Sequence, residues 1–327
     1  MADLSTNYMG LNLSSPLLLA SSSLSNRVEN FEAAEANGAG AVVLRSLFEE
    51  QIEAAQSEID AAVAVGGDNN PEAHGYLPPQ TVGPKEYLTL IKKAKKAVKI
   101  PVIASLNCVS PGSWSEYAKQ IEEVGADALE VNCYFIAADP IQSGDDVEKK
   151  YLDVLTSIRR TVRLPIAFKL SPFFTSLAHS ALRFDKGGAN ALVLFNRFLQ
   201  PDISVGKRSL VVSMPLSHPS EMLLSMRWIA ILYGRVKAHL AASTGVHTTE
   251  GVIKQLLAGA QVVQLASTLI KNGIPHLATL RDGLGDWMDK EGHASLDELR
   301  GSLSQKGGTD PGAFERAQYV QLLLAQN

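Results

Sequence analysis

The sequence has little cysteine. Its 327 residues include two, Cys108 and Cys133. Two thiols cannot build a disulfide framework or a four-thiolate metal site, and they fit a reducing, cytoplasmic setting. They cannot hold an iron–sulfur cluster alone either, so any such centre would belong to a partner. No metal site is expected. An excess of charge of one sign is also missing. Thirty Lys and Arg against 34 Asp and Glu leave a formal net charge of −4, which argues against a dedicated nucleic-acid binder. No run of about 18 apolar residues occurs, so no membrane span is expected. The longest oily stretch, Met222 to Tyr233, is interrupted by Ser225 and Arg227 and reads as an interior helix. The opening M-A-D-L-S-T-N-Y lacks the basic and apolar regions of a signal peptide. A G-x-G-x-x-G after the first apolar run is absent too, which counts against a doubly wound dinucleotide-binding sheet.

What is present is a soluble, globular composition, with 46% hydrophobic and 20% charged residues. At roughly 150 residues per domain the length suggests two domains, yet α/β barrels run longer than that as one. A recurring phrase decides between them. Gly38-Ala39, Gly125-Ala126, Gly188-Ala189 and Gly259-Ala260 each close a helix-like segment and open a short apolar run. Gly stops a helix in a left-handed cap. The run that follows has the length and composition of a strand buried on both faces. Other runs open with Pro16, Pro101 and Pro165, a residue tolerated at a strand's first position. Together they predict eight strands, at 16–20, 40–45, 101–106, 127–132, 165–170, 190–196, 236–243 and 261–266. Helices are expected between them, for example Glu86–Val98, Trp114–Val124, Val147–Val162 and Thr249–Leu257. Eight such alternations predict a single α/β domain over 1–327, a (β/α)8 TIM barrel. Long loops are expected after strands 2 and 6, at about 46–100 and 197–235, and 286–327 reads as a C-terminal helical appendage.

Barrel enzymes carry their sites at the C-terminal ends of strands. Here those ends are polar: Ser21, Arg45 and Ser46, Asn107, Asn132, Lys169, Asn196, then Ser243-Thr244-Gly245 and Ser267-Thr268. A lysine inside an apolar strand needs a partner or an anionic ligand. Small hydroxylated residues ahead of helices suit a phosphate, although Ser and Thr there also serve as ordinary caps. Cations, amides and a phosphate niche around one mouth suggest a phosphorylated cofactor lying across it.

In order and spacing, L-L-L-A-S-S, A-V-V-L-R-S, A-L-E-V-N, I-A-F-K-L-S-P, F-N-R, S-T-G-V and Q-L-A-S-T resemble the dihydroorotate dehydrogenase family, specifically its soluble class 1-type members. The likeness spans roughly residues 5 to 300. It implies an FMN-binding barrel that oxidises dihydroorotate to orotate in pyrimidine biosynthesis, a homo-oligomer, a small-molecule substrate and an electron-transfer partner protein. Carried over position by position, it implies a cofactor site of Ala20, Ser21, Arg45, Ser46, Asn107, Asn132, Lys169, Asn196, Thr244, Gly245, Ser267 and Thr268. Lys169 would sit by the flavin N1/O2 side, where its charge stabilises the reduced, anionic flavin. Asn132 and Asn196 would bind substrate. Thr244, Gly245, Ser267 and Thr268 would hold the FMN phosphate. Lys169, Asn132 and Tyr134 are the expected catalytic residues.

The substrate side departs from the family pattern. Its Cys or Ser base would stand at Phe135, which cannot take a proton. Ala137 replaces a substrate-binding Asn, and Arg45 stands where a lysine is expected. The loop pattern N-S-x-G-L-P-N reads Ala73-His74-Gly75-Tyr76-Leu77-Pro78-Pro79, and G-G-x-S-G reads Met214-Pro215-Leu216-Ser217-His218. Cys133 alternates away from the Asn132 face and reads as a small buried hydrophobe. His74 and His218 could close over a ligand. His247 reads as a helix cap. Three readings compete with a dihydroorotate dehydrogenase-like enzyme: a flavoprotein with another substrate, a Schiff-base lyase using Lys169, and a non-catalytic barrel.

Overall fold

The structure, a computed structural model, describes residues 2–55, 83–110, 114–198, 200–211, 213, 215–308, 310–315 and 317–325. Eight parallel strands form the centre: β1 (Leu17–Leu19), β2 (Ala41–Val43), β3 (Val102–Asn107), β4 (Ala128–Asn132), β5 (Ile166–Leu170), β6 (Ala191–Leu194), β7 (His239–Ser243) and β8 (Val262–Leu265). Each pairs with its neighbours in sequence, and β8 returns to β1 with Val263 opposite Leu17, so the sheet closes on itself. The expected (β/α)8 barrel is therefore what forms. The helices that follow the strands in turn are α1 (Val28–Ala36), α2 (Pro84–Ala97), α3 (Trp114–Glu123), α4 (Gly144–Thr161), α5 (Leu177–Lys186), α6 (Met222–Leu232), α7 (Thr249–Ala258) and α8 (His276–Glu291).

The Gly-Ala phrase does what its chemistry predicts. Gly38, Gly125, Gly188 and Gly259 have φ between 87° and 120°. They end α1, α3, α5 and α7 and release the chain into β2, β4, β6 and β8. At Gly259 space adds to conformation, because a Cβ there would meet the Tyr233 ring at 2.4 Å. The seventh strand starts later than expected, at His239 instead of 236. The Val236 N–H still bonds the Leu232 carbonyl, which prolongs the turn after α6. The sixth stops at Leu194, two residues short of the expected end.

Alternation sorts side chains between two layers. Leu17, Leu19, Val102, Leu129, Phe168 and Leu192 face the helices and join the large outer core. Leu18, Ala41, Val43, Ile103, Ala128, Ala167, Ala191, Val193, Ala241 and Val262 fill the lower lumen. A hairpin that the sequence reading missed, Thr6–Tyr8 with Leu11–Leu13, inserts Tyr8, Met9 and Leu13 into that floor.

The two long connections carry added structure. After β2 the chain leaves the ladder at Arg45 and Ser46, then rejoins β3 through Leu47–Phe48. The Tyr87 hydroxyl fills the gap, accepting from the Ser105 N–H at 2.8 Å and donating to the Ser105 carbonyl at 3.0 Å. Residues 56–82, including His74 and the 73–79 loop, lie outside the described residues. After β6 a second unpredicted hairpin pairs Asp202–Ser204 with Ser209–Val211. Residues 286–291 continue α8. Beyond Gly292, Leu296 and Leu299 are buried, and Gly301, Leu303 and Gln305 bond the carbonyls of Leu256, Leu257 and Ala230 on α7 and α6. A last helix, Ala317–Ala325, follows.

Candidate active site at the barrel mouth

Two residues above the floor, the lumen turns polar. Glu130 and Asn132 alternate on β4, and Lys169 lies opposite Asn132 in the β4–β5 register. Lys169 Nζ is 3.5 Å from Glu130 Oε1, with side-chain exposures of 9% and 1%. From β8, Gln264 Nε2 donates to Glu130 Oε2 at 2.5 Å. Glu130 Oε1 accepts no hydrogen bond among the described residues, so charge holds it to Lys169. Burial, and then the Glu130 charge, raise the Tyr8 phenol well above its ordinary pKa and keep it neutral below the pair.

Above that layer stand three amides. Asn196 Nδ2 donates to Asn132 Oδ1. Asn107 is buried, and its side chain makes no hydrogen bond among the described residues. Toward β1 and β2 a hydroxyl chain runs from Ser21 to Ser46 (3.3 Å) to Ser105 (2.8 Å), beside Ala20. Arg45 is exposed and lines a pocket of about 40 Å³ with Asn26, Ser46, Phe48, Gln51 and Tyr87.

A larger cavity, about 560 Å³, opens over β5–β7 and is lined by Phe173, Phe195, Asn196, Arg197, Phe198, Ser243 and Thr244 among others. Tyr134 stacks on Phe198 at 4.4 Å between ring centroids, and Phe173 meets Phe198 edge-on at 5.3 Å. Those aromatics bridge the loops after β4, β5 and β6, directly beyond Asn132 and Asn196. Arg197 is tied to Glu221 at 2.9 Å and to the Pro215 carbonyl.

Phe135 turns the other way. Its ring lies 5.3 Å from Tyr151 of α4, within a cluster that includes Phe168, Phe174 and Phe184. Cys133 is buried in the outer core, and burial pushes its thiol up. The small buried hydrophobe expected at Cys133 agrees with this packing.

At β7–β8, Thr244 and Gly245 adopt φ of 76° and 77°. A Cβ on Gly245 would strike the Met222 backbone nitrogen at 2.3 Å, so only glycine fits. The N–H groups of Thr244 and Val246 find no acceptor among the described residues. Gly245 N–H donates to Ser217 Oγ at 3.3 Å, and Ser267 Oγ accepts from the Ser217 N–H at 3.1 Å. Thr268 Oγ1 donates to the His247 carbonyl at 3.4 Å. His247 does not cap α7 as expected. Thr248 does so, accepting from Gly251 N–H, while His247 Nε2 contacts Ser217 Oγ at 3.1 Å. His218 is exposed and caps its own turn, its Nδ1 on Ser220, instead of closing over the mouth.

The site residues that the sequence reading passed over are Glu130, Gln264, Phe198 and Ser217. Glu130 was within reach, because period-two alternation from Asn132 places it on the lumen face. Gln264, Phe198 and Ser217 depend on contacts across the barrel or between loops.

Among the described residues, no helix is long and apolar enough to cross a membrane, and no group of three His, Cys, Asp or Glu is placed to hold a metal. Comparison with known proteins agrees with the geometry. The profile of the dihydroorotate dehydrogenase family matches residues 3–288. A protein of Aeropyrum pernix provisionally named dihydroorotate dehydrogenase A (fumarate) is 28% identical over 91% of this chain and 97% of its own. Proteins of Thermoplasma volcanium and Thermoplasma acidophilum named dihydroorotate dehydrogenase B (NAD(+)), catalytic subunit, are 26% and 27% identical. Each aligns with 92% of this chain, over 98% and 99% of its own length. A closed eight-stranded barrel with a polar mouth, together with a profile match over most of its length, makes the chain a member of the dihydroorotate dehydrogenase family, oxidoreductases that act on CH–CH bonds.

Proposed function

We propose that the chain is an FMN-dependent oxidoreductase that moves two hydrogens across a C–C bond of a small ring substrate, and that dihydroorotate is a poor substrate for it. The family is flavin-dependent, and the donor set at the mouth suits FMN. The unpaired N–H groups of Thr244 and Val246, with Gly245 between them, suit a phosphate. Lys169 and the free Asn107 amide suit the heteroatoms of an isoalloxazine edge. Ser217 already engages Gly245 and Ser267, so FMN phosphate binding there would draw Gly245 N–H away from it. When bound, the flavin supplies the hydride acceptor. The protein's part is to hold the ring on Lys169 and Asn107, to orient substrate with Asn132 and Asn196, and to exclude water with Tyr134, Phe173 and Phe198.

One observation carries the substrate reading. At the position where the family pattern calls for a base, Phe135 packs on Tyr151 and offers nothing that can take a proton. Tyr134 is the protonatable side chain next to Asn132 and is the acid or base in this reading. The Schiff-base lyase reading gives way to membership of an oxidoreductase family. The relatives named catalytic subunits support an electron-transfer partner protein for this chain. Titrating purified protein anaerobically with dihydroorotate tests the substrate claim. The flavin is expected to bleach slowly, and Tyr134→Phe to slow it by a further factor of about 10² or more, since a placed general acid or base contributes about 10²–10⁴-fold. Fast bleaching of the wild type would refute it.

A further inference from the structure

Among the described residues, the charged residues that are buried as a whole are Glu49, Glu130 and Lys169, and the buried side chain of Arg300 is tied to Asp297 at the surface. Glu49 is accounted for by the Val109 and Ser110 N–H groups just after β3. Glu130 and Lys169 stand alone together in the lumen, above a floor of Leu, Ala, Val and Ile side chains. A buried charge without a partner is strongly unfavourable, so each sets the environment of the other. Gln264, reaching over from β8, fixes the carboxylate by its other oxygen. The titratable groups facing Glu130 from the hairpin and from α2 are Tyr8 and Tyr87, both held neutral by burial.

We infer that Glu130 is a positioning residue. Its carboxylate, clamped by Gln264, holds the Lys169 ammonium at the mouth and supplies the countercharge that sets the reduction potential of the bound flavin. The inference rests on the FMN reading above. With Glu130 ionised, the positive charge offered to a ligand gaining electrons is partly cancelled. Without it, the same ammonium acts unopposed in a low-dielectric setting.

The test is a double-variant cycle read by the midpoint potential of bound FMN in the intact protein, with the thermal melting midpoint alongside. Glu130→Gln keeps shape and the Gln264 contact but removes the charge. It is expected to shift the potential upward and to lower the melting midpoint. Lys169→Met is expected to shift the potential downward. In the Glu130→Gln/Lys169→Met double variant the Glu130 effect should vanish, leaving the potential of Lys169→Met, and the melting midpoint should rise again because no unbalanced charge remains. Glu130→Asp, which keeps the charge, should stay near the wild-type potential. If Glu130→Gln does not fold, the comparison of the double variant with Lys169→Met still shows whether Glu130 acts on the potential without the ammonium, and an effect there would overturn the inference. FMN-bound variants whose potential shifts simply add, or a Glu130→Gln potential equal to wild type, would overturn the inference alone. A protein that takes up no FMN would overturn it together with the functional reading.

Discussion

The lower and upper halves of the barrel lumen come from the same strands, yet they differ in kind. Below, Ala128, Ala167, Ala191 and Ala241 leave room for Leu18, Ile103 and Val262, and the hairpin carrying Tyr8 and Met9 closes the end. One alternation step higher the inward residues are Glu130, Lys169 and Gln264, and above them Asn107, Asn132 and Asn196. Filling with small and branched side chains buries area and stabilises. Charges and amides in the same position cost desolvation and return it only through partners or a ligand. The lumen is therefore a stability device at one end and a binding device at the other.

That contrast is sharpest if substitutions in the two halves separate cleanly. At the mouth, Lys169→Met should lower steady-state turnover with the enzyme's own substrate by about 10²–10³-fold, the usual loss for one aimed electrostatic group, while the circular dichroism spectrum stays native. On the floor, Leu18→Ala should cost about 2–5 kcal/mol in denaturant unfolding, with turnover per folded molecule unchanged. A floor variant that abolished turnover while fully folded would erase the distinction.

The smallest effect concerns the hairpin that closes the floor. The Met9 N–H donates to His239 Nδ1 at 3.0 Å, which requires that nitrogen to be unprotonated. Burial, and then Arg300, hold the His239 pKa below its ordinary value. The unfolded chain therefore binds a proton, near pH 6.5, that the folded chain refuses. Stability is full above that pH and falls as the pH drops below it. Melting midpoints should be flat near pH 8 and decline toward pH 5.5, and His239→Gln should flatten the slope.

Much of this was legible in the sequence, for physical reasons. The Gly-Ala phrase marks a helix stop followed by a buried strand, and both halves of that signal are local. Strand ends could be read because period-two alternation is local as well. The N-terminal hairpin escaped because its residues Thr6 to Leu13 owe their structure to the barrel end they cover. The Glu130–Gln264 bond joins strands that lie far apart around the barrel, and no local pattern encodes it. His247 was misassigned because two adjacent candidates, His247 and Thr248, compete for one cap. The geometry of Ser217 decides between them by engaging the imidazole.

The central claim is that this mouth holds FMN. Purified protein, heated to release any bound chromophore, should yield FMN in about one-to-one ratio with the chain, identified by its visible absorption and mass. Ser267→Ala, which removes a hydroxyl beside the phosphate niche, should lower that ratio. Colourless protein that fails to take up added FMN would contradict the account.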